Sequence, residues 1–410
     1  MFNIKIPDRF RLLFPCYFAF FVSGAMVLLV GTTLPYIIEE AGINYSVAGG
    51  LLSAFAIGNL LASFVNPVIS RLIGRKRTIV MLSSLVPLSW FIVTLLPPVA
   101  VLYPVFVLLG IGRGSVSIIN NAVVNDNSDG KPAALNLLHM TFAAGALLSP
   151  LLTSLYIGAG FGWRAVAYTI AAASVLATAG YAWMKITPGG YAGEEGTSAA
   201  DTETGTGTGA ETGTGAGMGT ENAVYYKNPV FYIMGFLLFL YLGLENCVNG
   251  WFVTYFKSMG IMSGTYATNL VSVTWIMVML GRLATAKLSK VIDKNRLIFT
   301  YCIATAAFFL LLIATHNLYV ITFAIAGLGF FFAGIYPTGV SCAGSVLKGS
   351  DTAMSMLLAI AALGGIITPQ IVGILADYSG MAAAITVLLV NVAGMLILSG
   401  VGMKKGGTSG

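Results

Sequence analysis

Twelve runs of about twenty apolar residues punctuate this chain, six before one long polar stretch and six after it. A run of ~18 or more apolar residues is long enough to cross the hydrocarbon core of a bilayer, so this feature alone removes most soluble folds. The runs fall at 10–36, 47–69, 78–97, 99–124, 133–157, 163–184, 229–256, 265–288, 297–315, 318–346, 353–376 and 380–402. Ala, Leu, Ile, Val and Phe follow one another through them without the alternation of a membrane barrel, which predicts a helix for each. Charged residues are 9% of the chain and hydrophobic ones 57%, too little charge to cover a soluble domain of this length. The expected fold class is therefore an all-α polytopic membrane protein. The first run is too long for a signal-peptide core and counts as structure.

The net charge of +6 does not describe a nucleic-acid surface, because the basic residues are sorted by side. With a cytoplasmic N terminus, 17 of the 21 Lys and Arg fall in cytoplasmic segments. Arg164 and Lys257 fall outside, and Arg113 and Arg282 lie within runs. The positive-inside rule then puts both termini in the cytoplasm, with a prokaryotic inner membrane as the expected setting. Cys16, Cys247, Cys302 and Cys342 all lie in runs and show no metal-ligand spacing, so neither a metal nor a disulfide is expected.

The polar stretch divides the chain into an expected N-terminal bundle (1–187), a linker (188–228) and a C-terminal bundle (229–410). Between Asp201 and Thr220, fourteen of twenty residues are Thr or Gly. Such a segment has nothing to bury and is expected to be a flexible cytoplasmic tether. The two halves look like copies. Gly110-Ile111-Gly112 precedes Pro150 by 40 residues, and Gly327-Leu328-Gly329 precedes Pro369 by 42. The basic connection Ser70–Arg77 likewise matches Ser289–Arg296. An internal repeat of six helices is a signature of transporters that rock two bundles about a central site.

On these features the chain resembles the major facilitator superfamily over nearly its whole length. Gly74-Arg75-Lys76-Arg77 is similar to the end of that superfamily's loop signature between helices two and three. The signature's acidic residue is missing, with Ser70 and Arg71 in its place. That leaves Asp293 to supply a charge latch in the other half. Leu135–His139 with Gly145 and Pro150, and Glu245-Asn246 with Asn249-Gly250-Trp251, resemble the fucose-permease-like branch. The resemblance implies two pseudo-symmetric six-helix bundles, a cavity lined by spans one, four, seven and ten, and symport of a sugar with a cation.

The candidate site residues follow from charge and amide placement. Glu245 lies mid-span, where an ionised carboxylate is costly and rarely kept without a role. Tyr241, Glu245 and Asn249 are spaced four apart and share a helical face. Glu245 reads either as the group that carries a coupled proton or as a strut paired with Arg113. Arg113 reads as a clamp on an anionic substrate, as the partner of Glu245, or as a packing arginine that snorkels. Asn120 and Asn121 follow it on the same span, and Asn136 shares a face with His139, a candidate relay or gate. Trp251 and Gln370 complete an aromatic and amide set suited to hydroxyls. Arg282, after Gly281, is expected to steady the cytoplasmic gate.

No catalytic motif, nucleotide-binding motif or cofactor signature occurs in the chain. An ion gradient or the solute's own gradient must then supply the energy, with protons as the expected coupling ion and sodium as the alternative. The expectation is a monomeric secondary transporter of a small polar solute by alternating access, a sugar or related metabolite. A drug or metabolite exporter, an organic-anion transporter and a non-transporting membrane sensor are the alternatives.

Overall fold

The computed structural model describes residues 8–128, 132–184, 225–347 and 351–406. Twelve helices long and apolar enough to span a membrane occur among them. They are α1 (Leu12–Ala41), α2 (Tyr45–Ile73), α3 (Arg75–Thr94), α4 (Val99–Asp126), α5 (Ala134–Gly158) and α6 (Gly162–Trp183). After the linker come α7 (Pro229–Ser258), α8 (Gly264–Leu288), α9 (Lys294–Ile313), α10 (Leu318–Gly344), α11 (Thr352–Ser379) and α12 (Met381–Met403). The predicted spans match, with the largest difference at α1, which runs on to Ala41. Of the linker expected at 188–228, residues 188–224 lie outside the described residues, as do the basic residues Lys131, Lys185 and Lys348.

Helix starts are set by side chains that accept from open backbone N–H groups. Asn44 accepts from Val47 N, Ser263 from Tyr266 N, and Asn317 from Tyr319 N and Val320 N. Asn228 accepts from Val230 N, with Pro229 at the first helical position, where its missing N–H costs nothing. α3, α10 and α12 are each interrupted, near Ser84, Gly334 and Val387 respectively.

α1–α6 pack as one bundle and α7–α12 as a second. The copies align at an offset of 219 residues: 369 less 150 for the prolines, 263 less 44 for the helix caps, 329 less 110 for a glycine pair. In each half the second and fourth helices cross at that glycine: a methyl on Gly110 would strike the Phe55 carbonyl, and one on Gly329 the Thr274 carbonyl at 2.5 Å. The structural counterpart of Gly110 is thus Gly329 rather than Gly327, two residues from the register read in the sequence. In the corrected register the glycine-to-proline spacing is 40 residues in both halves.

The halves meet along three helix pairs: α2 with α11, α5 with α8, and α1 with α7. These contacts gather at the end where α1, α7 and α11 finish and α2 and α8 begin. Away from them, large apolar side chains such as Phe64, Leu72, Val175, Phe323, Val390 and Ile397 stand exposed on the outer faces. A continuous apolar exterior of this kind fits hydrocarbon rather than water.

Candidate functional site

The α7 face predicted from spacing points into the molecule's centre. Gly31 lets α1 cross α7 there without a side chain between the backbones, since a methyl would collide with the Asn249 carbonyl. One turn away, Glu245 is half-buried, with Tyr241 one further turn along the same face. Tyr241 is itself buried against α10, its ring 4.9 Å from Phe332 and 6.2 Å from Tyr336.

Two arginines bring positive charge to that carboxylate. Arg282 from α8 and Arg113 from α4 both lie within electrostatic reach of Glu245. Arg282 is also within electrostatic reach of Tyr241 and of His139 on α5. Arg113 is 1% exposed. Its Nη1 donates to Asn59 Oδ1 on α2 at 2.7 Å, and its guanidinium lies 5.6 Å from the centre of the Phe142 ring. Its Nε and Nη2 make no hydrogen bond with the described residues. With Glu245 ionised, the centre carries two cationic groups against one anionic group, a net charge of one positive unit. An excess buried cation is costly unless something neutralises it.

Aromatic rings close the centre on the side of the seams. Phe142 of α5 lies 6.2 Å from Trp275 of α8, and the Trp275 Nε1–H donates to Asn249 Oδ1 at 3.3 Å. A continuous chain of contacts therefore runs from Arg113 through Phe142 and Trp275 to Asn249, crossing from one bundle to the other.

The structure gathers Tyr241, Glu245, Asn249, Arg113 and His139, and leaves several other candidates apart. Asn120 is fully buried inside the N-terminal bundle, donating to the Cys16 carbonyl at 3.1 Å and accepting from the Tyr181 hydroxyl at 2.8 Å. Trp251 donates to the Pro369 carbonyl at 3.0 Å, and Gln370 to the Ser46 carbonyl at 3.1 Å, both at the closed end. Asn121 folds back onto the Ser117 carbonyl of its own helix. Asn136 is exposed near the start of α5, while His139 is buried edge-on to Phe20 with ring centres 5.4 Å apart. The amides and indole expected to read hydroxyls are thus mostly engaged in packing.

In the loop motif, Gly74 takes φ 84° and lets the chain turn from α2 into α3. Arg75 pairs with Asp126 at the end of α4 at 2.8 Å, so this half has a charge latch despite lacking the signature's acidic residue. Lys76 is half-buried and Arg77 exposed. Asp293 caps α9, accepting from Asn295 N and Arg296 N. At the corresponding place Lys294 Nζ donates to the Ser341 carbonyl at 3.0 Å.

Sequence reasoning missed Arg282 and Asn59 as members of the centre. The signal for Arg282 was available: it and Arg113 are the basic residues that lie well inside the runs rather than at their ends, and intramembrane charge is a functional marker wherever it falls. Asn59 carried no such mark.

The chain matches the model of the Major Facilitator Superfamily over residues 16–369. It is 22% identical over 382 residues to a TsgA protein homolog of Erwinia tasmaniensis, covering 92% of this chain and 91% of that one. Among solved structures it is similar to the nucleoside transporter NupG (TM-score 0.74, 13% identity, 97% of this chain and 99% of that one). A bacterial homolog of the human lysosomal transporter Spinster, in an inward-facing conformation, matches with a TM-score of 0.73 at 14% identity over 98% of both chains. The human organic anion transporter MFSD10 matches with a TM-score of 0.61 at 18% identity, over 96% of this chain and 100% of that one.

Proposed function

Because the chain belongs to the Major Facilitator Superfamily, a small-solute transporter and not an enzyme, we propose that it carries a small organic anion by alternating access, coupled to protons at Glu245. The observation that carries this reading is Arg113, 1% exposed in the core of the membrane-spanning region with Nε and Nη2 unbonded among the described residues, in a centre that also holds Glu245 and Arg282. Guanidinium groups bind carboxylates and phosphates through paired N–H donors, and Arg113 has two nitrogens, Nε and Nη2, unused by the described residues.

The same arrangement supplies a coupling rule. Protonation of Glu245 raises the net charge of the centre from one positive unit to two. A proton and an anion then favour each other's binding, which makes symport the expected mode. A neutral sugar would draw little from this charge, and most of the amides that would read its hydroxyls are already engaged. The topology with both termini cytoplasmic belongs to the same proposal, resting on the sorting of Lys and Arg.

The test is uptake of labelled carboxylates and phosphates into vesicles under an imposed proton gradient. Glu245→Gln should abolish gradient-driven accumulation and leave solute exchange intact, since the amide keeps the shape but cannot ionise. Were Glu245 only a strut, the same change would leave buried cations unpaired, cost ~3–5 kcal/mol and reduce folded protein. The double change Glu245→Gln with Arg282→Gln would then restore yield. Full accumulation by a well-folded Glu245→Gln protein would end the coupling assignment.

A further inference from the structure

We propose that Asp377 is a conformational latch, a carboxylate of the C-terminal bundle that holds the closed seam by serving the open N–H groups at the start of α2 in the N-terminal bundle. Asp377 lies near the end of α11. Its Oδ1 accepts from Tyr45 N at 2.8 Å and its Oδ2 from Ser46 N at 2.9 Å. The third N–H of that first turn, on Val47, is served locally by Asn44. The three N–H groups at the start of α2 are therefore all occupied, two of them by a residue more than 300 positions away in the other bundle.

Any motion that parts α2 from α11 must break both bonds and remove the carboxylate from the positive end of the helix. Among the described residues the other hydrogen bonds of this seam are neutral. Gln370 Nε2 donates to the Ser46 carbonyl at 3.1 Å, and Ser53 Oγ to the Ile366 carbonyl at 2.6 Å. Asp377 is thus the charged member of the seam. It acts on one conformation only, because an open seam leaves both partners to water.

The internal repeat supplies the control. At the offset of 219 residues Asp377 corresponds to Gly158 at the end of α5, and Tyr45 and Ser46 correspond to Gly264 and Thr265 at the start of α8. The local cap is kept there, Ser263 accepting from Tyr266 N. The carboxylate from the partner bundle is not. The local cap is thus common to both halves, and the cross-bundle carboxylate belongs to one seam only.

The test uses Ser53→Cys as a reporter in the full chain, since Ser53 is buried in the seam and the four native cysteines are buried elsewhere. In purified protein, Asp377→Ala should raise the maleimide labelling rate at position 53 about tenfold, the worth of a charge at a helix start with its charge-assisted hydrogen bonds. Asp377→Asn, which keeps an acceptor and loses the charge, should fall between. A second pair approaches from the donor side. Tyr45→Pro removes one N–H at a position where proline is favoured, after a residue already in the extended conformation it requires. Tyr45→Ala removes only the ring. Tyr45→Pro should label faster than Tyr45→Ala by several-fold. Parent-like labelling of Asp377→Ala overturns the latch; should that variant fail to fold, equal rates for the two Tyr45 variants overturn it. The readout needs no solute, so its failure is distinct from failure of the anion reading.

Discussion

At α2 and α11 the two bundles meet through backbone and a carboxylate; at α5 and α8 they meet through rings. The first seam is close and polar. A methyl on Gly49 would sit 2.8 Å from the Pro369 carbonyl, and one on Gly373 would strike the Tyr45 carbonyl. The second seam is built on Phe142 against Trp275, with one long hydrogen bond from Ser272 Oγ to the Leu147 carbonyl at 3.4 Å. Opening the first exchanges protein hydrogen bonds for water, a trade with a small net cost apart from the charge of Asp377. Opening the second exposes buried aromatic area, which the hydrophobic effect resists at ~25 cal/mol per Å². The second reaches the central site by rings that cross between the bundles, from Arg113 through Phe142 and Trp275 to Asn249. Solute or proton binding therefore has a physical route to the aromatic seam, while the polar seam is held from its own end.

The largest expected effect belongs to Trp275, which is almost wholly buried. Trp275→Ala should cost ~3–5 kcal/mol, as large-to-small changes at buried aromatics do. Thermal unfolding in detergent measures the loss. A cost below ~1 kcal/mol would mean the rings are not what holds α5 to α8. The polar seam should respond to the opposite kind of change. Gly373→Ala adds one carbon against the Tyr45 carbonyl and should cost ~1–3 kcal/mol as overpacking, seen as faster labelling of a cysteine at position 53. The counterpart of Gly373 in the aromatic seam is Ser154, so a Cβ is already accommodated there. An unchanged labelling rate in Gly373→Ala would remove the claimed closeness of the first seam.

The contrast between the seams was only partly legible in the sequence. Span positions were readable because membrane helices must be long and apolar, and the repeat was readable from its glycines and prolines. Its register slipped by two at Gly327 because Gly-Leu-Gly offers two glycines, and only packing decides which one meets α8. Glu245 was readable because intramembrane charge is rare. Asn120 and Gln370 were misleading, since an amide in a span looks alike whether it faces a cavity or a neighbouring carbonyl. That choice depends on helix rotation, which local pattern fixes poorly in helices apolar on most faces. Asp377 carried no signal, because a carboxylate near a helix end is ordinarily solvated and its partners are backbone groups that no residue type announces.

The smallest effect is the most discriminating, because it asks whether one seam can be given the chemistry of the other. Gly158 ends α5, is exposed, and has nothing nearer to its Cβ position than Thr265 Oγ1 at 4.0 Å. Its backbone is not among those with positive φ, so an L side chain fits without strain. Gly158→Asp should therefore place a carboxylate near the first N–H groups of α8, as Asp377 does for α2. The expected gain is that of a charge at an exposed helix start, ~0.3–1 kcal/mol, or about a two- to fivefold slower labelling of a cysteine replacing the buried Ser272. Gly158→Ala is the control, since it stiffens the helix end without adding charge. Slowing by the aspartate alone would show that a cross-bundle carboxylate is enough to bias a seam of this fold. Equal slowing by both would assign the effect to the backbone, and the difference between the seams would then rest on their glycines and rings.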